Sequence, residues 1–242
     1  GLSSYGADVV HSYEEAEKII LSKRTNSDRI VEQYIKGEHF GSEIYGSEGD
    51  YIVLDPFILS LNKYGITCPK QSVKLGPVRS EKFKVKELKS ELARLSKLMD
   101  FSGISQADLV FDVEKWFIVD INPRRSGETS TYAASLDRLI FDLILFPEDK
   151  PLKYVMNIKF PILPKERLEK LYSHDFVISI RQMENRDAKQ NREAGYCEML
   201  IGRFDTLDEL MEKLEFLKSN YSDIVEPIFY RNALSMAEKI RE

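Results

Sequence analysis

Ala107-Asp-Leu-Val-Phe-Asp-Val-Glu-Lys-Trp-Phe-Ile-Val-Asp-Ile-Asn-Pro-Arg-Arg-Ser-Gly-Glu128 is the stretch on which the fold turns. Residues 107–113 and 116–121 are short β-branched and aromatic runs separated by Glu114-Lys115, a pattern that predicts an antiparallel hairpin closed by a tight turn. Side chains alternate faces along a strand, so Asp120 and Asn122 point the same way. A turn centred on Glu114 or Lys115 puts Asp108 opposite Asp120 or Asn122 and on their face. Two carboxylates this close oppose each other's ionisation, and a hard divalent cation relieves them. Magnesium needs only a few carboxylate or amide oxygens and completes its octahedron with water and phosphate oxygens, which suits so small a ligand set. The plainer alternative is a solvated acidic face.

Pro123 ends the second strand, and Arg124-Arg-Ser-Gly-Glu128 leads into an apolar-periodic segment, Tyr132 to Phe146. Guanidinium groups and the amides at a helix start both suit anions. Arg124 has the competing option of a surface ion pair with Glu128.

Taken together, Asp108, then Asp120-Ile-Asn122-Pro-Arg124, then Ser126-Gly127 resembles the metal-binding segment of the ATP-grasp superfamily, which includes biotin carboxylase, the carbamoyl phosphate synthetase large subunit and D-alanine:D-alanine ligase. The resemblance implies that Asp108, Asp120 and Asn122 hold Mg2+ (or Mn2+) on ATP. It implies that Arg124 steadies the acyl phosphate or substrate, and it places Glu128 where biotin carboxylase-like members carry a catalytic glutamate. A second segment, Arg29 to Tyr45, is similar to the family's hinge. By that similarity the backbone of Glu32, Gln33, Tyr34 and Ile35 seats adenine and Glu38 meets the ribose. Without the family the same residues are two strands, 30–35 and 39–45, joined through Gly37. A third, Gly1 to Ser12, resembles the glycine-rich loop over the phosphates, with Ser3, Ser4 and Gly6 as contacts; a frayed terminus is the alternative. Lys70 or Lys74 is a fainter phosphate candidate, each equally readable as a solvent-facing lysine.

The resemblance covers residues 1 to about 146. The chain opens inside the glycine-rich loop, without the lysine-bearing strand or the substrate domain that usually precede it. It is therefore expected to be a fragment, or one whose site a partner chain completes, and a poor catalyst as it stands. The implied activity is that of an ATP-dependent carboxylate-amine (or thiol) ligase acting on small molecules through an acyl phosphate. The alternative is a non-catalytic nucleotide-binding or regulatory module, and a third possibility is a generic α+β domain with an incidental acidic hairpin.

Composition narrows the classes. With 43% hydrophobic and 31% charged residues over 242 positions, the chain can build real cores, and a net charge of −5 gives no general attraction to nucleic acid or an anionic membrane. No apolar run has the length of a membrane span and no signal peptide is visible. Cys68 and Cys197 lack metal spacing and are expected to be free thiols in a cytoplasmic protein. The three histidines are isolated, so neither a zinc site nor a histidine-based triad has support.

The expected fold class is α+β: an ATP-grasp fold of antiparallel sheets and packed helices, with a small C-terminal α+β domain. Residues 1–38 are the remainder of the first subdomain, 39–147 the second with the metal site, and 151–242 the C-terminal domain. The break is expected at Pro147-Glu-Asp-Lys-Pro151. Expected elements are a helix over 13–24, strands near 29–35, 39–46 and 51–57, and an amphipathic helix over 81–99 with Leu88, Leu92, Leu95 and Leu98 on one side. A helix over 130–146 follows, with Ala133, Leu136, Leu139, Ile140, Leu143 and Ile144 as its stripe. Strands are expected over 153–160, 176–182 and 196–204. Capping boxes at Ser12–Glu15 and Thr206–Glu209 predict helix starts, the second opening a helix over 207–219, and a last helix spans about 223–241, interrupted or started near Pro227. Arg181, Arg186 and Arg192 are within a region able to meet an acidic substrate, or are simply solvated.

Overall fold

The computed structural model describes residues 8–22, 30–60, 73–146, 150–184 and 195–241. The pivotal hairpin forms as β5 (Gly103–Phe111) and β6 (Trp116–Asn122). Its turn is held by Asp112, whose Oδ1 accepts the N–H groups of Glu114 and Lys115 at 3.0 and 2.9 Å. Six more strands extend it: β1 (Glu38–Ser47), β3 (Phe57–Leu59), β4 (Val73–Gly76), β7 (Tyr154–Phe160), β8 (Val177–Glu184) and β9 (Gly195–Phe204), in the order β6-β5-β1-β3-β4-β7-β9-β8. β2 (Asp50–Val53) pairs with the far end of β1. All the pairings are antiparallel. The C-terminal unit beyond residue 151 joins this sheet through β4 and β7, with Lys74 opposite Asn157, and one hydrophobic cluster runs through both parts.

The registers sort side chains onto two faces. Phe40, Ile44, Leu75, Ile158, Met199 and Ile201 share one face and form the main core, covered by the helices α2 (Val85–Met99), α6 (Leu207–Asn220) and α7 (Pro227–Ile240). Leu88 and Leu92 of α2 are buried as the stripe predicts, whereas Leu98 at its end is 73% exposed. Thr206 caps α6 in a reciprocal capping box with Glu209. Thr206→Ala is expected to cost about 1 kcal/mol in a urea melt; an unchanged midpoint would mean that packing alone holds the helix.

The opposite face carries a smaller cluster in which α3 (Thr129–Ser135) lays Tyr132 on Tyr45, Phe57, Val155 and Leu200. The Tyr132 hydroxyl donates to the carbonyls of Gly41 and Asp55 at 3.1 and 3.0 Å, fastening the helix to the sheet. The same face also carries Glu43, Lys74, Asp108, Asn157 and Lys159.

Several expectations are corrected. The helix expected over 130–146 is two, α3 and α4 (Ile140–Leu145), because Asp137 takes a left-handed conformation (φ 53°). The N–H groups of Asp137 and Arg138 turn back to Ala134 and Ala133, a helix-ending arrangement that satisfies the last carbonyls. Leu139, expected in the buried stripe, is therefore 71% exposed. No strand forms over 30–36, where Ile30 is 87% and Val31 70% exposed. β1 already has β5 on one edge and β2 and β3 on the other, so no sheet edge is free beside it to reward the β-branched run. The strand expected over 51–57 is interrupted at 54–56, where Pro56 has no N–H to donate. α1 (Tyr13–Leu21) begins at the predicted Ser12 cap and buries none of its side chains. α5 (Lys165–Tyr172), opened after Pro164, was not anticipated, whereas α7 takes the expected start near Pro227, a residue suited to a first helical position. Ser3, Ser4, Gly6, Lys70, Cys68, Arg186 and Arg192 lie outside the described residues, as does most of the 147–151 break.

Candidate active site

The hairpin's turn alone would not bring the acids together. Near the turn Phe111 faces Trp116 and Leu109 faces Ile118; continued regularly, that register would set Asp108 against Val119 and turn Asp120 to the other face. A bulge between Asp108 and Leu109 absorbs one residue, so Asp108 faces Asp120 and Gln106 faces Asn122. The three predicted ligands thus share one face, as expected, but through an irregularity that no turn rule shows.

Their side chains are tied in a row. Gln106 donates to Asp108 at 2.7 Å, Asn122 donates to Asp120 at 3.0 Å, and Arg124 donates to the Asn122 carbonyl oxygen at 3.1 Å. Burial pushes the Asp108 carboxyl above its usual range, Gln106 opposes that shift, and the facing Asp120 adds to it. This is an all-oxygen set in which one carboxylate lacks compensation, and it fits a hard divalent cation. Among the described residues no three His, Cys, Asp or Glu side chains are placed to hold a metal ion by themselves.

Gly41 of β1 sits opposite Asp108, and a Cβ there would collide with the Glu128 carboxylate, so the glycine makes the space in which Glu128 lies against the sheet. Glu128 is buried and its Oε2 has no hydrogen-bond partner. Burial above all pushes its carboxyl up to about 7, with Lys74 pulling the other way and Asp108 and Glu43 adding to the rise. Lys74 donates to the Gly127 carbonyl at 3.0 Å, which places this lysine, one of the two faint candidates by sequence, at the loop after the hairpin.

The same face continues into the C-terminal unit. Asn157 of β7 is opposite Lys74, is buried, and leaves its Oδ1 unpartnered. Lys159, two residues on, faces Glu198 of β9 at 3.8 Å and lies over the Tyr196 ring; its side chain is only 13% exposed, and burial lowers its pKa. Sequence reasoning missed Gly41, Glu43, Asn157 and Lys159. Each is ordinary in its own strand and becomes a site residue only when the strands are laid side by side.

Glu32, Gln33 and Tyr34 are exposed, Ile35 is half-buried, and Glu38 is paired through both oxygens with Lys239 of α7 at 2.8 Å.

No family model matches the chain, and neither does any curated protein. Solved structures do. L-amino acid ligase from Bacillus licheniformis aligns over 77% of this chain with a TM-score of 0.60 at 19% identity. N5-carboxyaminoimidazole ribonucleotide synthetase from Thermus thermophilus aligns over 90% with a TM-score of 0.62 at 16% identity. These neighbours are ATP-grasp enzymes. The chain has the ATP-grasp fold. The biotin carboxylase-βγ-ATP complex from Campylobacter jejuni shares the fold over 86% of this chain, with a TM-score of 0.56 at 13% identity. The chain spans 51% to 59% of the length of those three structures, about half. Among its described residues no helix is long and apolar enough to cross a membrane.

Proposed function

We propose that this chain is part of an ATP-dependent ligase that activates a small carboxylate as an acyl phosphate and transfers it to an amine or thiol. The observation that carries the proposal is the bulged pairing of Asp108 with Asp120 on a polar sheet face, with Asn122, Arg124, Lys74 and Glu128 around it. Mg-ATP, when bound, would supply the phosphoryl group, and its metal ion the positive charge that offsets the carboxylates and the phosphate oxygens.

In this reading Asp108, Asp120 and Asn122 hold Mg2+ (or Mn2+). Arg124 and Lys74 stabilise the anionic oxygens that develop during transfer. Glu128, with a pKa near neutrality, is matched to taking a proton from an attacking amine. Lys159 and Asn157 extend the site toward the acid to be activated. The backbone of Glu32 to Ile35 would seat adenine and Glu38 the ribose, which requires Glu38 to share or leave Lys239. Ser3, Ser4, Gly6 and Lys70 would meet the phosphates.

Hydroxylamine traps acyl phosphates as hydroxamates, so incubation with ATP, magnesium and a panel of small carboxylic acids tests the chemistry directly. ATP- and magnesium-dependent hydroxamate with at least one acid is expected. Magnesium-dependent ADP binding without any hydroxamate would favour the non-catalytic nucleotide-binding module, and the absence of both would sink either reading.

A further inference from the structure

Glu43 of β1 is fully buried, and all the hydrogen bonds to its carboxylate come from hydroxyls. Oε1 accepts from Ser126 Oγ at 2.7 Å and from Thr129 Oγ1 at 2.5 Å, partners that lie 83 and 86 residues away in sequence, and Oε2 accepts from the Tyr45 hydroxyl. Both loop hydroxyls are used twice. Ser126 Oγ accepts the Glu128 N–H at 2.8 Å, and Thr129 Oγ1 accepts the Ser126 N–H at 3.0 Å. Between them, the Gly127 carbonyl receives Lys74.

None of these bonds belongs to the sheet ladder. The backbone of Glu43 is already placed by its register opposite Gln106 and by the Leu54 N–H. With no exposed surface and both oxygens occupied, the carboxylate cannot reach a ligand. What it holds is the segment that begins just after Arg124 and ends at the start of α3.

We propose that Glu43 is a positioning residue of the candidate active site: it clamps loop 123–129 against β1 and so fixes Arg124, Glu128 and Lys74 relative to the Asp108–Asp120 pair. The proposal rests on the nucleotide-site reading above. An ionised carboxylate is suited to the clamp because it accepts from three hydroxyls at once, whereas alanine leaves the buried Tyr45 and Thr129 hydroxyls and the partly buried Ser126 hydroxyl without that acceptor. Glutamine is a partial substitute, since its oxygen can keep Ser126 and Thr129 while its amide donates to the Tyr45 oxygen.

The test compares Glu43→Ala and Glu43→Gln by Mg-ADP calorimetry well below each melting temperature, and by hydrogen exchange at the Ser126 and Glu128 amides. Glu43→Ala is expected to weaken Mg-ADP binding about tenfold or more and to lose protection at both amides, with Glu43→Gln restoring most of each, the scale of one to two buried hydrogen bonds. Two variants with unchanged affinity and protection but lower melting temperatures would show a purely structural residue and overturn the proposal. So would Glu43→Gln failing as badly as Glu43→Ala in binding while the amides stay protected, which would mean that the charge acts on the ligand. If wild type binds no Mg-ADP, the nucleotide reading fails, and amide exchange still decides the clamp. Should Glu43→Ala not fold, Ser126→Ala removes one of the clamp's bonds and is expected to shift the same readouts in the same direction; no shift would overturn it.

Discussion

Asp120→Ala is expected to eliminate the magnesium-dependent part of ADP binding, a loss of about 100-fold or more in affinity measured with and without EDTA. Asp120 is one of two facing carboxylates and the more exposed of them, so it can reach a cation without structural change. Asn122→Ala should fall nearly as far for two reasons. It removes an amide oxygen from the metal side, and it cuts the bonds that join Asp120 on one hand and Arg124 on the other. Glu114→Ala, exposed at the hairpin turn, is the control that should bind as wild type. Mn2+ offers a second readout: its EPR signal with protein alone should reveal an ion bound by wild type and absent in both variants. Retention of metal-dependent binding by Asp120→Ala would remove the hairpin from the site.

Glu128→Gln is expected to stabilise the chain in alkaline solution and to flatten its pH dependence in divalent-free buffer. In the fold the Glu128 carboxyl is pushed from 4.5 to about 7, so between those values the folded chain binds more protons than the unfolded chain. Stability must then fall as pH rises through that window and level off above about 7. The difference between 4.5 and about 7 corresponds to about 3 kcal/mol lost by wild type at pH 8 relative to pH 4. Glutamine has no charge to bury, so the variant should exceed wild type above the window and converge with it below. A residual slope of the same sign should persist, because burial also raises the carboxyls of Asp108 and Glu43. Urea melts across this range check the claim, and identical slopes in the two proteins would refute it.

Local chemistry explains where the sequence was legible. The hairpin strands, α2, β1 and the capped start of α6 each depend on residues within a few positions of one another, whose periodicity and capping partners can be read along the chain. The helix expected over 130–146 failed because its apolar spacing was real while Asp137 adopted a conformation that ends a helix, stabilised by backbone bonds and an ion pair to Arg203. The strand expected over 29–35 failed because a strand is completed by a neighbour, and whether one is available is not a local property.

The sequence by itself determined the candidate site residues at the hairpin, Asp108, Asp120, Asn122 and Arg124, and the strands that carry them. Tertiary structure decided the rest. The bulge that turns Asp120 toward Asp108, the glycine that admits Glu128, the Glu43 clamp and the arrival of Lys159 from beyond residue 151 all depend on strand register. Register is set by pairing between residues as far apart in sequence as Val73 and Ile158, where burial and hydrogen-bond satisfaction choose the alignment, and no single strand encodes it alone.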